Sequence, residues 1–254
     1  AGRPWPWTDD PVLRTYRFTN VSRRYDRMTV VLRDELERCR LNRRRQVRTI
    51  VAYRLFNRTN TWQYLASGVR GDWDLPLARV RLAAAAARGE TLMSSVWIVN
   101  GRAGEPVYET RLKALDWAIE NIGRFVPSRG TVVRDQWKIF QSIPEVGPFV
   151  ANEMTMDLLY LTDQLSGAID RTTWTHFGPG AIRGLRRLQG RPANEADPRI
   201  DEADRAVFRA LAGRASIKRA GLTIHDVEHC LCEFDKYATS AATAPAGSPS
   251  RAKK

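Results

Sequence analysis

The sequence predicts a mainly α protein, and three observations carry that expectation. Apolar residues recur at helical spacing near both ends of the chain, an alanine-rich run is bracketed by proline and glycine, and strand-like texture is confined to one short stretch. In chain order, Val21, Tyr25, Met28, Leu32 and Leu36 fall at i, i+4, i+7, i+11 and i+15, the apolar stripe of a first helix. Thr19 or Asn20 is available as its N-cap, and Asn20, Arg23 and Arg27 lie on the opposite side. A second helix runs through Val47, Ile50, Val51 and Leu55. Pro76 stands where a first helical residue would, and the Ala-rich run from Leu77 to Arg88 closes at Gly89. Val96-Trp97-Ile98-Val99, Asn100-Gly101 and Val107-Tyr108 read as a small β-hairpin or an irregular loop. Helix resumes over Leu112–Ile122 and near Asp135–Ser142. The last helix opens on a capping-box-like pair, Thr223 and Asp226, and shows Val227, Leu231, Phe234 and Tyr237 as its apolar face. The expected organisation is one helical domain over residues 1–239, in two lobes with a cleft between them. A disordered basic tail over 240–254 ends Arg251-Ala252-Lys253-Lys254.

Composition narrows the function classes. The 254 residues, 43% of them hydrophobic, can supply a sizeable core, and 8 Trp, 7 Tyr and 8 Phe are incompatible with a disordered chain. Lys and Arg total 41 against 28 Asp and Glu, a net charge of +13, and only six of the 41 are Lys. Arginine's planar fork of donors matches phosphate, so the bias points to a polyanionic partner, nucleic acid first. No apolar run approaches the roughly 18 residues of a membrane span, and no signal peptide is visible, so a cytoplasmic protein without a membrane partner is expected. Three cysteines, Cys39, Cys230 and Cys232, are too few for a four-thiolate zinc or iron–sulfur site and suit a reducing compartment. No Gly-Lys-Ser/Thr occurs, which excludes P-loop phosphoryl transfer by these residues. No cofactor and no metal are expected.

Four segments could carry chemistry. Ile143-Pro144-Glu145-Val146-Gly147-Pro148-Phe149-Val150-Ala151 has the apolar-Pro-x-apolar-Gly pattern of a helix–hairpin–helix turn, whose backbone amides can hold a DNA phosphate. Glu145 stands where such turns often carry Gly, and Pro148 removes one donor; the bland alternative is an ordinary helix connection. Phe177-Gly178-Pro179-Gly180-Ala181-Ile182-Arg183-Gly184-Leu185-Arg186-Arg187 is a glycine turn opening an Arg-rich helix, either an anion cradle or a packing turn. In the last helix, His225, Glu228 and His229 formally spell a zinc-peptidase string, rejected because no downstream carboxylate ligand follows. There Glu228, Cys232 and Asp235 share a face, either solvated or lining a site. Asn57-Arg58-Thr59-Asn60-Thr61-Trp62 sets polar groups beside an aromatic at the end of the second helix, a mixture suited to a base, although Trp62 alone reads as core.

These residues together resemble a known family. Trp7-Thr8-Asp9-Asp10-Pro11, Tyr16–Val21 with Asp26-Arg27, and Leu55–Thr59 with Thr61-Trp62 are similar to its N-terminal half. Ile143–Ala151 with Asp157-Leu158, Gly178–Ala181 with Arg183-Gly184, and Glu228–Tyr237 are similar to its C-terminal half. The family is the α-glutamyl/putrescinyl-thymine pyrophosphorylase group, the helical domain of 5-hydroxymethyl-deoxyuridine DNA kinases. The resemblance implies a fold related to helix–hairpin–helix DNA glycosylases and a role in bacteriophage thymine hypermodification. There a kinase pyrophosphorylates 5-hydroxymethyluracil in DNA, and a glycosylase-like enzyme replaces the pyrophosphate with an amino acid or polyamine. With no P-loop in this sequence, the transferase step is the one expected. The partners implied are double-stranded DNA carrying modified thymine, a small amine or amino-acid co-substrate, and an upstream DNA kinase.

The resemblance and the residues together give a site to be tested. Glu145, Val146, Gly147, Phe149, Arg186 and Arg187 grip the DNA backbone, and the modified base leaves the stack for a pocket. Asn20, Asn57 and Trp62 hold or stack it; Gly178 and Gly180 shape the anion turn; Arg23, Arg27, Arg58, Arg183 and Lys236 neutralise the departing pyrophosphate. Asp235, Asp157 or Asp26 takes a proton from the incoming ammonium. A glycosylase acting on a modified thymine is the first rival, disfavoured because the stretch that resembles its catalytic turn, Phe177–Gly180, carries no carboxylate, the nearest upstream being Asp170, and the hairpin carries no Lys. A non-catalytic DNA-binding partner of the kinase is the second.

Overall fold

The computed structural model describes residues 8–94, 104–193 and 199–243, and among them the regular structure is helical, with no strand. The chain divides into two compact units, one built from Ala1–Asp26 with Thr175–Lys254 and the other from Arg27–Trp174.

The first helix, α1 (Pro11–Thr15), starts at Asp10, whose carboxylate accepts from the Val12 and Leu13 amides at 2.8 and 3.0 Å. The stripe expected to run as one helix from Val21 is split. Arg23–Tyr25 makes a single 3-10 turn, and α2 (Arg27–Cys39) starts only after Asp26. The cause is tertiary. The Arg23 amide donates to Asp226 Oδ1 at 2.9 Å and the Asn20 side chain to the Tyr25 carbonyl at 2.6 Å, so backbone groups that a helix would use are taken. Val21 and Tyr25 are left exposed.

The second unit is organised around α3 (Arg43–Phe56), in which Val47 and every residue from Thr49 to Phe56 are buried. Such all-round burial marks a helix enclosed by others, here α4 (Thr59–Arg70), α6 (Val107–Glu120) and α8 (Pro148–Leu161). α5 (Leu75–Ala87), capped by Asp74 and with the expected Pro76 in its first turn, one residue after its start, lies against α4 and α6. Leu32, Ile50, Leu65, Leu82, Leu115 and Phe140 are essentially solvent-free, each contributing roughly 1.5–3 kcal/mol by burial. Asn57 ends α3 in the left-handed region, φ 48°, and the chain turns straight into α4, so the polar run read as a cap hides a helix start. Val107 and Tyr108 begin α6 and so belong to no hairpin; residues 95–103, which carry the rest of that expectation, lie outside the described residues.

α7 (Val133–Phe140) has no cap of its own. Asp170, 37 residues away, supplies one: its two oxygens accept from the Val133 and Arg134 amides at 2.7 and 3.0 Å. Asp170→Ala should therefore cost about 1–2 kcal/mol, read from the urea midpoint; an unchanged midpoint would show that this cap contributes nothing.

The first unit is completed by α9 (Pro179–Leu188), α10 (Glu202–Ala212), α11 (Ala215–Arg219) and α12 (Ile224–Thr243) around a small core of Ala181, Leu185, Phe208, Val227 and Leu231. α12 opens on the expected box: Asp226 Oδ2 accepts from the Thr223 amide at 2.8 Å, and Thr223 Oγ1 accepts from the Asp226 amide at 3.3 Å. The helix continues through residues 240–243, so the expected tail does not begin at 240; residues 244–254 lie outside the described residues. No helix of the described residues is long and apolar enough to cross a membrane.

Candidate functional site

In the first unit, α9 and α12 meet at backbone distance. A Cβ built on Gly184 would stand 2.3 Å from the Leu231 carbonyl oxygen, and one on Gly180 would stand 3.2 Å from Cys232 Sγ. Glycines at i and i+4 thus let α12 lie in a groove of α9. That approach delivers the face of α12 on which Glu228, Cys232 and Asp235 were expected together. Glu228 Oε1 accepts from the Gly178 amide at 3.1 Å, so a carboxylate of the chain itself sits at the start of α9. Two turns on, Asp235 is 3% exposed and accepts from Arg183 Nε through one oxygen and from Arg187 Nε through the other, both at 2.8 Å. The two guanidinium groups remain 39% and 30% exposed, and Arg187 also donates through Nη2 to Thr239 Oγ1 at 3.1 Å. The buried carboxylate thus orients two partly exposed guanidinium groups, donors of the kind that pair with anions. Lys236 is exposed beside it, paired with Glu233 at 2.6 Å. Arg186 turns inward, donating to the Arg199 carbonyl at 3.1 Å.

The N-terminal segment is tied along the same helix. Arg23 Nη1 donates to His229 Nδ1 at 3.3 Å and Thr19 Oγ1 lies 2.5 Å from Nε2. Arginine is always a donor, so this assigns a neutral His229 with its proton on Nε2. Tyr237 donates to Asp10 at 2.6 Å, which holds the Asp10 carboxyl below its ordinary range and pushes the Tyr237 phenol up. The Cys230 thiol is pushed up to about 11, mainly by burial, and Cys232 further still. Burial thus favours the protonated thiol, the less nucleophilic form, at both positions. The residues of the rejected zinc string are spent on these contacts, His225 on Thr175 at 3.2 Å. Among the described residues no group of three or more His, Cys, Asp or Glu could hold a metal ion.

The second unit holds a buried ionic knot. Arg54, 2% exposed, donates to both oxygens of Asp157, to Thr29 Oγ1 at 2.8 Å and to Asn57 Oδ1 at 3.4 Å, with Glu153 Oε2 at 3.5 Å. Asn57 is thereby held by its acceptor end while its amide donors remain for another group. Arg58 caps α4 in an extended conformation, and Trp62 packs edge-on against Tyr53 in the core. Arg27 is exposed at the start of α2.

Between α7 and α8, Ile143 and Val146 are buried pegs and Glu145 has φ 65°, which is why such a turn favours glycine. Gly147 caps α8, Trp137 Nε1 donates to the Pro148 carbonyl at 3.0 Å, and Phe149 is 52% exposed. Arg111 is fully buried, with none of its guanidinium nitrogens hydrogen-bonded; burial pushes its pKa down to about 10, and Glu145 is the opposing charge.

The expected site residues thus fall in two groups. Asn20, Arg23, Asp26, Gly178, Gly180, Arg183, Arg186, Arg187, Asp235 and Lys236 belong to the first unit, and Arg27, Asn57, Arg58, Trp62, Glu145, Val146, Gly147, Phe149 and Asp157 to the second. Sequence reasoning missed Arg54 and Glu153. Their signal was available: Glu153 and Asp157 at i and i+4 of an otherwise apolar helix, and an arginine inside the run Tyr53–Phe56.

Against known proteins, the chain is 27% identical to a 5-hmdU DNA kinase of Bacillus phage SP10 over 271 aligned residues, covering 93% of this chain and 41% of that protein. It therefore spans about two fifths of that relative's length. No solved structure matches it. Residues 1–246 match the family described as the helical domain of 5-hmdU DNA kinase, and with almost the whole length included, the chain belongs to that family.

Proposed function

We propose that this helical domain transfers an amine, from an amino acid or a polyamine, onto pyrophosphorylated 5-hydroxymethyluracil in double-stranded DNA. The amine nitrogen forms a bond to the exocyclic methylene carbon, the bond from that carbon to the pyrophosphate oxygen breaks, and the leaving group departs with the electron pair. The proton released by nitrogen goes to a carboxylate. The observation that carries this reading is the Asp235 arrangement, in which one buried carboxylate fixes the partly exposed guanidinium groups of Arg183 and Arg187, the latter held also by Thr239. Forks already oriented stabilise charge developing on a leaving pyrophosphate without reorganising. Both oxygens of Asp235, and both of Asp157, are engaged by guanidinium groups, which suits positioning better than proton transfer. Asp26 is the third carboxylate proposed for that proton. The Ile143–Ala151 turn supplies the backbone grip of a helix–hairpin–helix glycosylase-like fold, and the modified base leaves the stack to react.

Incubating the protein with pyrophosphorylated 5-hydroxymethyluracil DNA and a mixture of amines, then weighing the nucleosides, should reveal a new nucleoside mass that names reaction and donor together. Asp235→Asn should lower turnover by about 100-fold or more and leave duplex affinity nearly unchanged, with kcat falling rather than KM rising. Full turnover in that variant would remove Asp235 from the site. The locking of both carboxylates favours one rival, a non-catalytic subunit that delivers DNA to a kinase; DNA binding with no new nucleoside would decide for it.

A further inference from the structure

We infer that the second unit carries a separate double-stranded DNA backbone site, at the end of the α7–α8 pair away from the Ile143–Ala151 turn. From Arg38 to Gly71 the sequence contains nine Arg and no carboxylate. The fold concentrates the start of this segment at one place. The Arg43-Arg44-Arg45 opening of α3 is stitched to the loops around it: Arg43 Nη2 donates to the Pro127 carbonyl at 2.7 Å, and Gln164 Nε2 donates to the Arg43 carbonyl at 3.2 Å. The position of a Cβ on Gly123 is 3.8 Å from Arg44 Nη2, which brings Arg124 alongside. Arg43, Ser128, Arg129 and Thr131 line a cavity of about 320 Å³, with Asp163 as its carboxylate.

Arg40, Arg44, Arg45, Arg124 and Arg129 are exposed, and among the described residues none makes an ion pair. Other exposed arginines of this unit are paired, as Arg38 is with Glu35 and Arg79 with Glu109, although Arg27 is not. Arg44, next to Gly123, and Arg129, in the same cavity lining as Arg43, are exposed forks without an ion pair, and the Arg124 guanidinium lies over the Trp117 ring at 5.7 Å. Like charges gathered so closely repel one another unless a polyanion covers them. Gln164 follows the end of α8, whose 14 residues separate this surface from the hairpin by about 20 Å. Because α8 is buried from Val150 to Leu158, a duplex cannot lie on that helix itself, and this surface is a contact of its own to a backbone whose charges recur every ~1.7 Å. The residues offer planar donors, hydroxyls and a glycine turn, with no exposed aromatic to read a base, so the contact is to phosphate and independent of sequence. Such a surface grips DNA whether or not the transfer reaction takes place.

The test compares the full chain with R44Q/R45Q/R124Q/R129Q, using fluorescence anisotropy on an unmodified duplex across a potassium chloride series. Each phosphate that the protein no longer neutralises lowers the slope of log K against log salt by roughly 0.9. The variant should bind more weakly, with a slope smaller by about 2 to 4; unchanged affinity and slope would overturn the site. Near-UV circular dichroism checks the fold, and the single Arg44→Gln, expected to lower the slope by roughly 0.9, gives a second reading should the quadruple variant fold poorly. Phosphatidylserine vesicles form a separate arm: loss of vesicle binding with duplex binding intact would assign the surface to membranes and also overturn the proposal. The outcomes separate from those for transfer. A reduced slope with no aminated nucleoside upholds this surface and rejects the reaction, whereas an unchanged slope with a new nucleoside does the reverse.

Discussion

Asp157→Ala is expected to destabilise the protein by about 3–5 kcal/mol, the largest single effect among the substitutions considered. The reason lies in what remains. Arg54 is 2% exposed and directs two of its donors at Asp157; without them a full positive charge stays buried, with Glu153 at 3.5 Å as the nearest opposite charge. The pair itself need not stabilise the fold, because desolvating both ions costs about as much as their attraction returns. That distinction is measurable. The double substitution Arg54→Met with Asp157→Leu removes both charges and keeps apolar volume, and should cost far less than Asp157→Ala alone. Urea unfolding followed by tryptophan fluorescence reads both. If Asp157→Ala shifted the midpoint no more than a surface substitution, the buried charge would have to be compensated elsewhere.

Gly184→Ala should destabilise the first unit by about 2 kcal/mol or more, although alanine is the better helix former by about 1 kcal/mol. The added methyl would meet the Leu231 carbonyl oxygen at 2.3 Å and its carbon at 3.0 Å. Both are backbone atoms in the middle of α12, so the helices must move apart. The separation also breaks the register that sets Arg183 and Arg187 on Asp235. Gly180→Ala is the internal control, because its nearest neighbour is the Cys232 sulfur at 3.2 Å, on a side chain that can turn away. Propensity gain and crowding then nearly cancel, and that variant should stay close to the parent. Limited proteolysis together with thermal melting distinguishes them; equal behaviour would mean that α9 and α12 do not hold this spacing.

Elements governed by local chemistry were legible. The Thr223–Asp226 box, Pro76 in the first turn of α5 and the apolar period of α3 and α12 specify helices without knowledge of neighbours. The break at Asp26 was not, because it depends on Asp226, 203 residues from Arg23 in sequence, taking the Arg23 amide. The site was legible as a set of residue types and opaque as a set of pairs. Asp235, Arg183 and Arg187 could be named, yet a sequence does not say that one carboxylate serves two arginines. Nor could the glycines of α9 be assigned to helix approach rather than to an anion turn, since both uses demand a missing Cβ.

One unit draws its secondary structure from two segments more than two hundred positions apart, Asp10 being bonded to Tyr237 and Thr19 lying against His229. During translation the stretch ending at Trp174 can therefore acquire its native form while α1 waits unclaimed for α12 to leave the ribosome. Pairings that span more than two hundred positions delay folding through the entropy of closing so large a loop. A nascent chain stalled before α12 should present residues 8–26 to proteases and chaperones, and cells making this protein would carry that hazard on every round of synthesis.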